Sequence, residues 1–271
     1  MKTIPGVGLR GAPLLEEPRE YAPRVEVTGE DWMAMNELLA AYRRGERKVT
    51  FVGGGAYITR MLFHMNSIDA SLAPKTTTQD WGSIEEDLGA ARRSPLKSHL
   101  SRQLHQMRSL DPGRAPNPTE EDWTSMSEGL EQFRETSRKF SGCALEIAGH
   151  LHYMRSLDAR RAPKPTEEDW RRMNSFLMSA RGLHRGGDIM DILYHVEGID
   201  GARFPEPDPL DWRDMGAELE NRRSSGILSS TGLASTAMDV ASALHYMRSL
   251  KEKSTAKMNV PPLPPLRRFR P

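Results

Sequence analysis

The 271-residue sequence contains a single cysteine, Cys143. One cysteine cannot form an internal disulfide, so a disulfide-stapled secreted scaffold is excluded, and a reducing compartment or an organelle matrix is consistent with the composition. Long apolar runs are also missing. No stretch approaches the roughly eighteen residues that a membrane span requires, so the sequence predicts no membrane insertion. The first residues lack the apolar segment of a secretory signal and give no clear targeting sequence.

An excess of charge of one sign is absent as well. Lysine and arginine total 38 against 37 acidic residues, which leaves a formal net charge of +1. No global field therefore drives the chain onto a nucleic acid, and any basic surface must be local. The sequence also offers no Ser-His-Asp, Cys-His or carboxylate-pair arrangement and no paired metal-ligand spacing. We therefore expect a protein that is not an enzyme, with no cofactor, no metal and no small-molecule substrate.

The chain does contain one sequence motif, which we call the phrase, repeated five times at intervals of 42 to 49 residues. Each copy has an aspartate before a tryptophan, Met or Ile three residues later, leucine at seven and arginine at eleven. A fixed period of this length indicates an array in which each unit buries its apolar face by stacking on its neighbours. The five tryptophans of the phrase are Trp32, Trp81, Trp123, Trp170 and Trp212.

Each unit is predicted to be a helical hairpin. Thr or Asp stands four residues before each tryptophan, and the aspartate of the phrase then falls at the third helical position, which is a capping-box pattern. The second helix is predicted from apolar spacings of three and four and closes with a signature such as Met107-Arg-Ser-Leu-Asp111. From the last residue of that signature to the next tryptophan the distance is twelve residues in all four cases. The predicted caps are Thr28, Thr77, Thr119, Thr166 and Asp208.

These patterns predict an all-α fold, an elongated α-solenoid of about five helical-hairpin repeats. The array covers residues 28–251, with units starting near residues 28, 77, 119, 166 and 208. An N-terminal extension, 1–27, precedes it, and a Pro-rich basic tail, 252–271, follows it. In that tail, Pro262, Pro265 and Arg267 fit a P-x-x-P-x-R ligand and are candidate partner-binding residues. A tail that lies along a partner protein or RNA is the broader interpretation.

The five tryptophans are predicted to form the structural core. A buried indole removes about 150–250 Å² of surface from water, far more than a surface contact could offset. Histidines cluster near the end of the second helix, but Phe63 and Tyr194 occupy the same slot in two units. A slot shared by Phe, Tyr and His is typical of packing.

The arginine at position eleven of each phrase is the strongest functional signal. In a stacked array these arginines would form a ladder suited to the phosphates of single-stranded RNA. The alternative is structural, because an arginine near a helix C-terminus can cap carbonyls or pair with a neighbouring repeat's aspartate. We call them the ladder arginines: Arg43, Arg92, Arg134, Arg181 and Arg223. A second candidate RNA-binding row follows the methionines of the second helices: Arg108, Arg155 and Arg248.

The repeated pattern of residues 28–251 resembles pentatricopeptide repeats. An aromatic residue opens the first helix, apolar residues follow three and seven positions later, and a methionine stands near the end of the second helix. That resemblance implies a right-handed α-solenoid that binds single-stranded RNA in a mitochondrion or plastid. The units here are longer than the family's.

Two functions are open. The first is a helical-repeat RNA-binding protein of an organelle that contacts RNA mainly through phosphates. The second is an architectural or adaptor subunit that grips protein partners in a large protein or ribonucleoprotein complex.

Overall fold

The computed structural model describes residues 25–46, 54–94, 98–136, 143–203, 205–226 and 233–258. Within these ranges it contains ten α-helices and no strand, which confirms the all-α prediction. None of the helices found there is both long and apolar enough to cross a membrane. The predicted tail residues Pro262, Pro265 and Arg267 lie outside the described residues. The helices are α1 Gly29–Arg43, α2 Gly54–Ile68, α3 Thr78–Arg93, α4 Ser98–Leu110, α5 Glu120–Thr136, α6 Cys143–Leu157, α7 Glu167–Gly182, α8 Gly186–Ile199, α9 Pro209–Gly226 and α10 Leu233–Met258.

The odd-numbered helices begin at the predicted caps. In α3, the Thr77 hydroxyl accepts a hydrogen bond from the Asp80 amide at 3.1 Å, and the Thr77 amide donates to Asp80 Oδ2 at 2.8 Å. This reciprocal capping box satisfies two backbone donors that would otherwise have no partner. The same pair of bonds recurs at the other caps, Thr28, Thr119, Thr166 and Asp208.

The helices form two layers. The even-numbered helices, which we call the inner helices, pack on one another in the order α2, α4, α6, α8, α10 and back to α2. The odd-numbered outer helices pack outside them, each against its own hairpin partner. The inner layer is therefore a closed ring of five helices, and every inner helix follows an outer helix of its own hairpin.

The predicted elongated shape was wrong, because the last unit packs onto the first. Helix α10 contacts both α1 and α2, and His64 Nδ1 lies 3.0 Å from His245 Nδ1 across the closure. Each unit is joined to the next in the same way, so each adds a similar rotation, and five rotations complete a turn. The terminal apolar faces thus bury each other instead of needing capping repeats.

The constant connection between units is built on the aspartate that ends each hairpin. Asp111 Oδ1 accepts a hydrogen bond from the Gly113 amide at 2.9 Å, two residues further along the chain. Asp69, Asp158 and Asp200 form the same turn with the amides of the residues two positions on. Aspartate favours this local turn because its short side chain mimics a backbone acceptor. This repeated turn accounts for the constant twelve-residue spacing.

Close backbone approach fixes where two inner helices meet the next outer helix. A Cβ built on Gly55 would collide with the carbonyl oxygen of Ser83 in α3, and one built on Gly186 would collide with that of Asp214 in α9. Only glycine leaves room for this approach. Glycine near the start of α2 and α8 therefore positions the inner ring against the outer one.

Candidate functional site

Every ladder arginine holds the aspartate of the next unit's phrase. Arg43 Nε and Nη2 donate to Asp80 Oδ1 and Oδ2 at 2.9 and 2.7 Å, which is a bidentate contact between α1 and α3. The structural alternative, pairing with a neighbouring repeat's aspartate, is the arrangement observed. The remaining pairs are Arg92–Asp122, Arg134–Asp169, Arg181–Asp211 and Arg223–Asp31.

The fifth pair closes the ring. Arg223 in α9 donates from Nε and Nη2 to Asp31 in α1 at 3.0 and 2.6 Å, although the two residues are 192 positions apart. Arg223 Nη2 also donates to the Glu26 carbonyl at 2.9 Å. The contact between the last and first units therefore has the same chemistry as the contacts between consecutive units.

Among the paired aspartates, Asp80, Asp122 and Asp169 have lowered pKa values. Burial acts to raise the pKa of Asp80, but hydrogen bonds from Arg43 and from the Thr77 backbone and side chain outweigh it. The pKa of Asp122 is lowered in the same way by Arg92 and Thr119 against the effect of burial. An aspartate that accepts three charge-assisted or backbone hydrogen bonds is held in its charged form. The ladder is therefore a set of inter-unit ion pairs.

The second arginine row does not form a continuous surface. Arg108 Nη1 donates to the Leu157 carbonyl of the next unit at 2.9 Å, which caps the end of α6. Arg155 is exposed, and Arg248 lines a groove beside the closure. The three side chains thus have three different environments.

An arginine that the sequence analysis missed covers the tryptophan in three units. Four tryptophans are buried and Trp32 is half-buried. The Arg114 guanidinium lies 4.9 Å from the centre of the Trp81 ring, close enough for a cation–π contact. Arg161 over Trp123 and Arg203 over Trp170 repeat it at 4.9 and 5.3 Å. Each of these arginines stands three residues after the junction aspartate, a D-x-x-R spacing that is visible in the sequence.

The first unit departs from this pattern. Leu72 stands three residues after Asp69, where the next three units carry arginine, and it is 60% exposed. Together with Trp32 and Ile68 it lines a groove that we call the seam groove, because it lies where the last unit meets the first. The other residues lining it are Val25, Glu26, Val27, Asp69, Arg248, Lys251 and Glu252.

The middle of the inner ring is filled by a layer of aromatic and histidine side chains. Tyr194 stacks on Tyr246 with ring centres 3.9 Å apart, and His152 Nδ1 lies 3.1 Å from His195 Nδ1. Phe63 packs edge-on against His245 at 5.0 Å. The predicted packing role of the histidine slot matches these contacts. We call this set the aromatic layer: Phe63, His64, His105, His152, Tyr153, Tyr194, His195, His245 and Tyr246.

Burial keeps the histidines of this layer neutral. Desolvation lowers the pKa of His105 to about 4, and it lowers that of His245 to about 3, with a further contribution from His105. The pKa of His195 falls to about 3, mainly by burial and next by the charge of Arg102. A neutral imidazole packs like a small aromatic ring, which is why Phe and Tyr can take the same slot.

Above the aromatic layer, at the amino-terminal ends of the inner helices, lies a polar space of about 240 Å³ that we call the central cavity. Arg60, Arg102 and Asp191 line it, and Tyr153, His195 and Tyr246 of the aromatic layer face it. A second cavity of about 320 Å³ between α2, α3 and α4 shares Arg60, Arg102 and Gln106 with the first. Burial raises the pKa of Asp191 to about 6 against the lowering effect of the nearby arginines. Among the described residues, no His, Cys, Asp and Glu side chains group to hold a metal ion.

Comparison of the chain with protein-family models, with curated proteins and with solved structures finds no match. The resemblance to pentatricopeptide repeats therefore stays a prediction from the repeated phrase. The ladder, the seam groove and the central cavity are the candidate functional features of the described residues.

We predict that removing one ladder arginine destabilises the ring far more than removing an exposed arginine nearby. Arg181→Ala leaves the buried Asp211 carboxylate without its ion pair; because Arg181 itself is 25% exposed, we expect a loss of about 2–3 kcal/mol in the free energy of unfolding. Arg171→Ala, on the same helix and 71% exposed, is the control and should change it by less than about 0.5 kcal/mol. Urea unfolding followed by circular dichroism measures both, and equal effects would refute the structural role.

A second prediction concerns acid. The unfolded chain protonates its histidines near pH 6.5, whereas the aromatic layer resists protonation down to about pH 4 for His105. The contribution of these histidines to the free energy of unfolding is therefore fully present above pH 6.5. It is lost as the pH falls toward the folded pKa, by up to about 1.4 kcal/mol per pH unit for each such histidine. Asp191 acts in the opposite direction, because its raised pKa makes stability fall as the pH rises from about 4 to 6.

His105→Phe, which copies the residue that the first unit has in this slot, tests this acid sensitivity. Unfolding free energies measured between pH 6.5 and 4.5 should then depend less steeply on pH than those of the wild type. Tyr194→Phe alters the same slot without removing a group that titrates in this range, so its slope should equal that of the wild type. A His105→Phe slope indistinguishable from wild type would show that this histidine is not held neutral.

Proposed function

We propose that the protein is a non-enzymatic architectural or adaptor subunit that binds a protein partner at the seam groove. The observation that carries the proposal is the local departure from the repeat at Leu72. Where Arg114, Arg161 and Arg203 cover the tryptophans of units two to four, the first unit presents an exposed leucine beside a half-buried Trp32. An aromatic and aliphatic pair inside a charged rim is typical of a protein-interaction anchor site.

The chemistry of the groove favours an apolar anchor on the partner. Val25, Val27, Trp32, Ile68 and Leu72 supply its apolar wall. The charged residues that line it have both signs, because Glu26, Asp69 and Glu252 are acidic and Arg248 and Lys251 are basic. A rim of mixed charge repels a phosphate backbone as much as it attracts it, whereas it can pair with the polar edge of an amphipathic protein segment.

RNA binding through the ladder, the first prediction from the sequence, has less support. All five guanidiniums already hold a buried or nearly buried carboxylate. In each pair Nε and Nη2 of the arginine already donate to the aspartate, so a phosphate would have to compete for the guanidinium at a cost to the contact that joins the units. This cost, together with the balanced charge of the chain, is why we favour the protein-binding role.

The variant Leu72→Arg tests the proposal, because it restores the residue that the repeat has at this position and should cover Trp32. Tagged wild-type protein, Leu72→Arg and the control Leu183→Arg are compared by quantitative affinity purification from the source cells. Leu183 is a similarly exposed leucine, at the end of α7 and away from the groove. We expect a defined set of proteins to be lost with Leu72→Arg and retained with Leu183→Arg, and the purified partner to bind Leu72→Arg at least tenfold more weakly.

Filter binding of single-stranded RNA at several salt concentrations tests the alternative RNA-binding function. We expect no tight, salt-dependent binding. Affinity that falls with salt at a log-log slope near −3.5, the value for about five phosphate contacts on a single strand, would replace this proposal with the RNA-binding function. Identical partner sets for wild type and Leu72→Arg would remove the seam groove as the docking site.

A further inference from the structure

One position of the repeat faces the central cavity in every unit, and the charge at this position differs between the units. It lies five residues before the Met or Val that opens the closing signature of each inner helix. All five residues at this position line the cavity, and in chain order they are Arg60, Arg102, Gly149, Asp191 and Ser242.

At this slot, the order of the units around the ring separates the two signs of charge. Arg60 and Arg102 belong to neighbouring units one and two, whereas Asp191 belongs to unit four, which the closed ring places on the other side. Glu146 and Asp239, three residues before the same slot in units three and five, add carboxylates to the acidic side. One further arginine, Arg222 of α9, lies on the acidic side, where its Nη1 donates to the Asp239 carbonyl and its Nε to Glu218. Burial raises the pKa of Asp191 and of Asp239, and Arg222 acts against it in both.

These charges do not neutralise one another by direct contact. Among the described residues, neither Arg60 nor Arg102 forms an ion pair, and the carboxylates of Asp191 and Asp239 receive no hydrogen bond. Arg102 Nε is shielded from solvent and has no hydrogen-bond partner in the described part of the chain. Arg60, Arg102, Asp191 and Asp239 are half-buried, and the Arg102 guanidinium lies 5.8 Å from the centre of the Tyr153 ring. Withdrawing a charge from water without an ion-pair partner is unfavourable, so the space between these groups is suited to a molecule that pairs with both signs.

The two cavities indicate how such a molecule would lie. Arg60, Arg102 and Gln106 stand at the boundary between them, whereas Glu146, Asp191 and Asp239 line only the central cavity. An anionic group at the boundary would meet both guanidiniums, and the rest of a small molecule would extend inward to the carboxylates. The inner helices all direct their amino-terminal ends to this side of the aromatic layer, and their dipoles favour the anionic group as well.

The geometry points to a binding site for a small zwitterionic molecule, with a phosphate or carboxylate on Arg60 and Arg102 and an ammonium facing Asp191 and Asp239. The central cavity of about 240 Å³ has room for a molecule of only a few heavy atoms between its charged groups. This site is separate from the seam groove and departs from the expectation that no small molecule is bound. The aromatic layer closes it on one side and excludes water there.

Isothermal titration with phosphoethanolamine and with β-alanine tests the site and distinguishes phosphate from carboxylate. Inorganic phosphate, acetate and ethanolamine supply the separate halves of these probes. We expect one of the two zwitterions to bind wild-type protein at least tenfold more tightly than either of its halves. If neither zwitterion binds more tightly than its halves, the proposal is overturned.

Substitutions in the cavity show which residues bind the anionic end and the ammonium end of the ligand. Arg102→Gln should weaken binding of the preferred zwitterion at least tenfold, and Asp191→Asn should abolish its advantage over the anion alone. Arg155→Gln, an exposed arginine outside the cavity, is the control and should bind as the wild type does. Arg60→Gln serves as a second variant in case Arg102→Gln fails to fold, which circular dichroism would show. Undiminished binding by folded Arg102→Gln or Arg60→Gln would place the ligand elsewhere and overturn the assignment.

Discussion

The bidentate pair between an arginine of one unit and the buried aspartate of the next is the contact on which the ring depends. The same aspartate accepts a hydrogen bond from the backbone amide of its own helix cap, as Asp80 does from Thr77. One carboxylate therefore both caps the start of an outer helix and joins two units. Because the guanidinium and carboxylate meet through two parallel hydrogen bonds, the contact fixes orientation as well as distance. Repetition of a single geometry at five junctions, including Arg223 with Asp31, turns a linear repeat into a closed ring.

Closure of the ring encloses the surface that the inner helices share. In an open array the inner helices would line an exposed concave face, whereas here they surround a space in which the aromatic layer forms a floor beneath a polar cavity. At the slot that faces this cavity, three of the units carry the charged residues Arg60, Arg102 and Asp191. Half-buried charges without ion-pair partners reduce stability, and the five inter-unit ion pairs and the buried tryptophans can offset that cost.

Much of the fold could be read from the sequence, because helix caps and apolar spacing are local. Thr77 and Asp80 predicted the start of α3, and the twelve-residue junction predicted identical connections. Ring closure could not be predicted, since a small change in the rotation per unit decides between a ring and an open superhelix, and no local pattern encodes it. The ladder arginines were recognised as a repeated feature, and pairing with a neighbouring repeat's aspartate was one of the roles that the sequence left open. The three-dimensional contacts were needed to decide between that role and phosphate binding. Arg114 and its equivalents could have been found from the D-x-x-R spacing after each hairpin.

Ring closure is tested most directly by the distance between the first and last units in solution. Spin labels at the exposed positions Glu30 and Glu220, in a chain with Cys143→Ser, would flank the pair formed by Asp31 and Arg223. Double electron–electron resonance should give one narrow distribution below about 25 Å, because α1 and α9 are joined by that pair. In an open array with neighbouring helices about 10 Å apart, the labels would be separated by four units. A distribution centred at about 40 Å or beyond would contradict the closed ring.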